Sequence, residues 1–189
     1  KTLWKFRNMY KKIILYFLFF FVIYNYYIFF NWYLDDENII IEHALYLSLS
    51  GSIPMYIFIL LTHIFFYPEG NTDNAKVISF PPLIWLFSIN TAIFIGTLNQ
   101  YYLQAYNLPD FLDFLRSWKI GLLICLIAII IISLALQEFN GNSEDPIPTT
   151  PSTIIIKSNV YKFTRNPMYL GLIILQIGIG MSLSYVHII

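Results

Sequence analysis

The chain of 189 residues is 58% hydrophobic and only 12% charged, and its formal net charge is zero. A soluble domain usually carries about 25% charged residues, so this chain has too few polar groups to cover an apolar interior. The balance excludes an ordinary soluble domain, and the zero net charge argues against a nucleic-acid-binding surface. The composition therefore indicates an integral membrane protein.

Apolar segments of about 20 residues are long enough to cross the hydrocarbon core of a bilayer. Four such segments, and a fifth apolar run, occupy residues 13–33, 44–67, 80–98, 119–137 and 168–189. The fifth run is long enough to cross alone, or it forms the first arm of a helical hairpin. The fold class that we predict is all-α: a multi-pass transmembrane helical bundle of about five membrane segments.

Two local features interrupt this pattern. Pro54 lies within the second segment, where we expect it to kink the helix. Between the third and fourth segments, residues 107–118 carry apolar side chains at helical spacing, and we expect a short helix at the non-cytosolic surface.

Lysine and arginine near the segment ends predict the orientation, because cytosolic loops carry more of them. Five basic residues precede the first segment, the next connection has none, and the loop 138–166 carries Lys157, Lys162 and Arg165. A cytosolic N-terminus places nine of the eleven basic residues in the cytosol. The predicted organisation is a four-helix transmembrane region over 1–137, followed by a cytosolic loop and a fifth apolar helix over 138–189.

The most informative stretch joins this loop to the fifth apolar run. It reads Arg165-Asn166-Pro167-Met168-Tyr169-Leu170-Gly171, with Tyr161 four residues before Arg165. The stretch resembles the isoprenylcysteine carboxyl methyltransferase and phospholipid methyltransferase superfamily. Members carry a loop with prolines, a tyrosine, and then Arg-His/Asn-Pro-x-Tyr-x-Gly entering a membrane helix. The resemblance covers roughly residues 138–183.

The resemblance implies an integral membrane enzyme that uses S-adenosylmethionine as its cofactor. It implies membrane lipids as surroundings and a hydrophobic methyl acceptor, lipid-like or prenylated, as substrate. A charged cofactor must stay on the aqueous side while a greasy acceptor arrives from the bilayer. The reactive atoms therefore have to meet at the interface, where the motif lies. No residue is assigned a catalytic role by the motif.

The residues that the resemblance assigns to cofactor binding are Tyr161, Arg165, Asn166, Pro167, Tyr169 and Gly171. Arg165 suits the carboxylate of the cofactor, although a basic residue there also suits a plain topological anchor. Asn166 stands where many members have histidine, and its amide side chain cannot be protonated to a cation near neutral pH. Tyr169 either lines the pocket or is an ordinary interfacial tyrosine.

Backbone chemistry suggests further roles near the motif. Pro167 suits the first turn of a helix because it lacks an N–H. Gly171, and in the following run Gly178 and Gly180, permit close helix packing. Asn159 stands where relatives commonly have glycine and tolerates a left-handed backbone.

Other polar groups are weaker signals. The three histidines lie far from cysteine or carboxylate ligands in the sequence, so we expect no metal site. His63 lies within the second segment, where we interpret it as a neutral, hydrogen-bonded group. Cys125 is a lone thiol in an apolar run, and we expect it to serve packing.

Two alternatives remain open at this stage. A sterol or steroid reductase shares an Arg-x-Pro-x-Tyr-x-Gly stretch, but the phosphates of its nicotinamide cofactor call for more than the three basic residues of this region. Relatives also continue to a Glu-Glu pair and a Phe-Gly-x-x-Tyr segment, and nothing after Gly171 matches these. The second alternative is therefore a truncated relative, one that has kept the bundle and lost the site.

Overall fold

The computed structural model of the chain describes residues 2–35, 41–66, 81–144 and 154–189, which contain helices and no strand. The α-helices of these ranges are α1 (Thr2–Leu34), α2 (Ile41–Phe66), α3 (Pro81–Leu98), α4 (Trp118–Gly141) and α5 (Pro167–Ser182). The predicted all-α bundle is confirmed. Part of the predicted acidic connection and the prolines at 146–151 lie outside the described residues.

Within the described ranges, four helical stretches are long and apolar enough to cross a membrane. They are Met9–Leu34, His43–Phe65, Pro81–Leu103 and Trp118–Gly141. Each lies within a few residues of a segment predicted from the sequence. Large apolar side chains such as Phe17, Ile64 and Leu123 are exposed along these helices, as expected for surfaces that face lipid.

The fifth helix is shorter than the apolar run from which it was predicted. α5 has 16 residues and ends at Ser182, so it is about 24 Å long. Beyond it, Ser184 has a left-handed backbone with φ 54°, and the chain reverses direction. The returning residues pack on α5, where Gln176 donates from Nε2 to the carbonyl oxygen of Ile188 at 2.9 Å. The apolar run 168–189 is therefore a helix with a returning tail.

The short helix predicted within residues 107–118 is present over part of that range, in a 3-10 form. A π-helical turn, Asn99–Leu103, extends α3, and a 3-10 helix covers Asp110–Arg116. The 3-10 form has three residues per turn and suits short connecting pieces. Phe111 and Phe114 are exposed on it.

The chain divides into two compact units, Lys1–Tyr67 with Leu86–Asn107, and Pro68–Trp85 with Leu108–Ile189. In the first unit α1 and α2 run antiparallel. Phe19 packs on Phe58 with ring centroids 5.8 Å apart, and farther along α1 the ring of Tyr26 covers Gly51.

A buried polar cluster joins the three helices of the first unit. The hydroxyl of Tyr26 on α1 donates to Oδ1 of Asn90 on α3, and Nδ2 of Asn90 donates to the carbonyl oxygen of Ser52 on α2 at 3.3 Å. Asn90 is fully buried. Lipid offers such groups no hydrogen-bond partner, so bonds between helices help to specify how these helices pack.

The second unit is built on the antiparallel pair of α4 and α5. Small buried residues recur at intervals of seven on both helices: Gly121, Ala128 and Ala135 on α4, and Gly171 and Gly178 on α5. These small residues let the two backbones approach closely, as the sequence predicted for α5. Cys125 also lies in this contact, since its sulfur would be 2.6 Å from a Cβ at Gly178. The packing role predicted for Cys125 is therefore confirmed.

Candidate functional site

The residues predicted from the motif lie at one end of the α4–α5 pair. Three elements meet there: the last turn of α4, a 3-10 turn at Asn159–Lys162, and the first turn of α5. The antiparallel pairing explains the meeting, because α4 ends on the side where α5 begins. Together these three elements form the candidate site.

Asn159 opens the 3-10 turn in the backbone conformation expected from the sequence. Its φ is 48°, in the left-handed region that favours glycine and that asparagine adopts more readily than most residues. The turn is then closed by the amide of Tyr161, which donates to the carbonyl oxygen of Ser158 at 3.0 Å. The tolerance of Asn159 for a left-handed backbone, expected from the sequence, is therefore used at this turn.

Tyr161 is held against the end of α4. Its ring meets that of Phe139 edge to face, with centroids 5.9 Å apart. Burial raises the pKa of the Tyr161 hydroxyl, and the nearby carboxylate of Glu138 raises it further. The hydroxyl therefore keeps its proton at physiological pH and presents a neutral ring to the site.

Glu138 and Ser158 belong to the site although the sequence analysis did not select them. The hydroxyl of Ser158 donates to Oε2 of Glu138, which joins the 3-10 turn to α4 across twenty residues of sequence. Glu138 is the one acidic residue of α4 and stands where its apolar stretch ends. A single acidic residue at the end of an apolar segment is the sequence feature that could have identified Glu138 as a site residue.

The start of α5 follows the predicted pattern. Pro167 is the first residue of the helix and is fully buried. Asn166 precedes it at the N-cap with an exposed side chain that makes no capping hydrogen bond, while its backbone N–H donates to Oγ1 of Thr164 at 3.3 Å. The proline predicted for the first turn is therefore confirmed. The side-chain amide of Asn166 is exposed and can reach a ligand.

Arg165 lies immediately before this helix and is exposed. Within the described residues, its guanidinium makes neither an ion pair nor a hydrogen bond. Lys157 and Lys162 are also exposed in the same stretch. Lys157, Lys162 and Arg165 therefore make the stretch that precedes α5 positively charged. Glu138, at the end of α4, is the carboxylate of the candidate site.

Tyr169 and Gly171 lie farther into α5 and differ in their surroundings. The side chain of Tyr169 is 43% exposed. Gly171 faces α4, where a Cβ would lie 2.5 Å from Cγ1 of Ile132. The close approach predicted for Gly171 is therefore present, and the neighbour that comes close is α4.

Comparison of the chain with known protein families, characterised proteins and solved structures found no match. The superfamily resemblance therefore rests on the residues of the motif in the sequence.

Proposed function

We propose that this chain belongs to an integral membrane methyltransferase that uses S-adenosylmethionine and acts on a lipid-like or prenylated acceptor, similar to the isoprenylcysteine carboxyl methyltransferases. One observation carries the proposal: the motif from Arg165 to Gly171, with Tyr161 ahead of it, leads directly into the apolar helix α5. At the boundary between the aqueous loop and an apolar helix, a charged cofactor and a hydrophobic acceptor can both reach the same site.

The exposed residues at the start of α5 fit the carboxylate of the methyl donor. The guanidinium of Arg165 can form a two-pronged, charge-assisted pair with a carboxylate. The amides of Met168 and Tyr169 have no acceptor within α5, because the first N–H groups of a helix never do. The positive end of the helix dipole adds a favourable field for an anion at the same place.

The bound donor would supply an activated methyl group on a positively charged sulfur. The residues of this chain would hold that donor, orient it and keep water away, which is what in-line methyl transfer requires of a protein. Asn166 can donate and accept hydrogen bonds but cannot take up a proton. The motif itself therefore positions groups and supplies no base.

A binding measurement tests the proposal. The protein, expressed from its natural gene and purified in detergent, would be titrated calorimetrically with S-adenosylmethionine, with its demethylated product and with a reduced nicotinamide dinucleotide. We expect heat of binding with the first two ligands. Binding of the nicotinamide dinucleotide alone would overturn the proposal in favour of a reductase, and binding of none would favour a non-catalytic membrane protein.

A further inference from the structure

Glu138 is a carboxylate at the end of α4 that accepts a hydrogen bond from the hydroxyl of Ser158. It lies in the last turn of α4, where the helix dipole presents its negative end and disfavours a carboxylate. Over the ranges that the structure describes, the ion pair found is Arg116 with Asp113, so Glu138 has no cationic side chain within pairing distance. The carboxylate is therefore placed where a cation from outside the chain would be stabilised.

The groups beside Glu138 limit what that cation can be. The rings of Phe139 and Tyr161 meet edge to face, and Tyr161 lies close enough to the Glu138 carboxylate to interact with it electrostatically. Aromatic faces attract cations through their quadrupole and need no hydrogen from the cation in return. Ser158 donates one hydrogen bond to Glu138, and a carboxylate has further acceptor positions. A carboxylate beside aromatic rings suits a soft, poorly hydrated cation.

We infer that Glu138 recognises the positively charged sulfonium of the methyl donor and so distinguishes the donor from its demethylated product. The inference rests on the proposed function and adds to it a residue outside the motif. Arg165 would bind the carboxylate end of the donor, and Glu138 its sulfonium. Glu138 lies in the last turn of α4, and Arg165 lies just before Pro167, the first residue of α5.

This role has a consequence for turnover. When the lone pair of the acceptor forms its bond to the methyl carbon, the electrons of the breaking carbon–sulfur bond return to sulfur. The sulfonium becomes a neutral thioether, and the attraction to Glu138 disappears. Glu138 therefore stabilises the donor more than the product, which favours release of the product and binding of a new donor.

The experiment compares two ligands that differ by the methyl group and its charge. Dissociation constants for S-adenosylmethionine and for its demethylated product would be measured with wild type, Glu138→Gln and the control Asp113→Asn. Asp113 is an exposed carboxylate in the 3-10 helix Asp110–Arg116, away from the motif. We expect Glu138→Gln to weaken donor binding about tenfold, the scale of a modest charge interaction, and product binding less than twofold. The control should change neither.

The outcomes separate the inference from the proposed function. Wild type that binds neither ligand would defeat the proposed function. Wild type that binds both, with equal losses or no loss in Glu138→Gln, would defeat the inference alone. If Glu138→Gln does not fold, Glu138→Asp takes its place: it keeps the negative charge and should keep the preference for the donor over the product. Loss of that preference in a folded Glu138→Asp would also count against the inference.

Discussion

Gly121 and Gly178 lie opposite each other in the contact between α4 and α5. A Cβ at Gly121 would lie 2.8 Å from the carbonyl oxygen of Gly178, and a Cβ at Gly178 would lie 2.9 Å from that of Gly121. Both distances are shorter than real Cβ contacts, and the neighbouring atoms are backbone. The two helices therefore keep this separation only while both positions lack a side chain.

The first prediction follows from that contact. Gly178→Ala should lower the free energy of unfolding by about 1–3 kcal/mol, the usual cost of overpacking, because its Cβ would also lie 2.7 Å from the backbone nitrogen of Cys125. Gly141→Ala is the matched control, since a Cβ there would meet nothing within 4 Å. Unfolding in mixed micelles measures both. Equal stability of the two variants would contradict the close packing.

A double variant sharpens this test. Cys125→Ala removes the sulfur that a Cβ at Gly178 would meet at 2.6 Å, but it leaves the backbone contacts. Gly178→Ala should therefore cost less in the Cys125→Ala background than in wild type, without becoming neutral. Full additivity of the two changes would place Cys125 outside the contact.

The long helices could be predicted from the sequence, whereas the end of α5 could not. An apolar run of about 20 residues identifies a membrane-spanning helix by itself. The residues after Ser182 are equally apolar, so composition predicts no boundary there. The helix ends because its tail packs back, with Tyr185 fully buried and Gln176 bonded to Ile188. Such tertiary contacts leave no local pattern in the sequence.

The candidate site likewise has features that could be predicted from the sequence and features that could not. The left-handed backbone of Asn159 and the helix start at Pro167 follow from the chemistry of single residues. The hydrogen bond between Ser158 and Glu138 depends on the path of the chain that connects them. Residues 145–153 of that connection have no regular sequence pattern. The partner of Ser158 therefore had to come from the structure.

The second prediction concerns the polar cluster of the first unit. Tyr26→Phe removes the hydroxyl that donates to Asn90, so the amide oxygen loses a partner in a buried position. We expect a loss of about 0.6–2 kcal/mol in the free energy of unfolding, the scale of hydrogen bonds between membrane helices. Tyr27→Phe is the control, because Tyr27 is 63% exposed. Equal effects in the two variants, measured in the same micelles, would argue against the bond.

The third prediction is the orientation. Single cysteines at Asp113 and Ser143, in a Cys125→Ala background, stand at opposite ends of α4 and are both exposed. We expect a membrane-impermeant thiol reagent to label Asp113→Cys in intact cells and Ser143→Cys after permeabilisation alone, because the distribution of basic residues predicts that loop 138–166 is cytosolic. The reverse pattern would invert the orientation. Labelling of both in intact cells would show that α4 does not cross.

The last prediction separates two roles for Arg165. Arg165→Lys keeps the positive charge, and the exposed side chain makes no hydrogen bond or ion pair within the described residues, so expression and orientation should be unchanged. If Arg165 pairs with the carboxylate of the methyl donor, lysine loses the two-pronged geometry. Donor binding should then weaken by roughly 1.5–3 kcal/mol, which is on the order of ten- to a hundredfold in affinity. Arg116→Lys, a matched change in the 3-10 helix Asp110–Arg116, should leave donor affinity unchanged. The measurement is calorimetric titration of the three proteins with S-adenosylmethionine in one detergent, and equal affinities for wild type and Arg165→Lys would reduce Arg165 to a topological anchor.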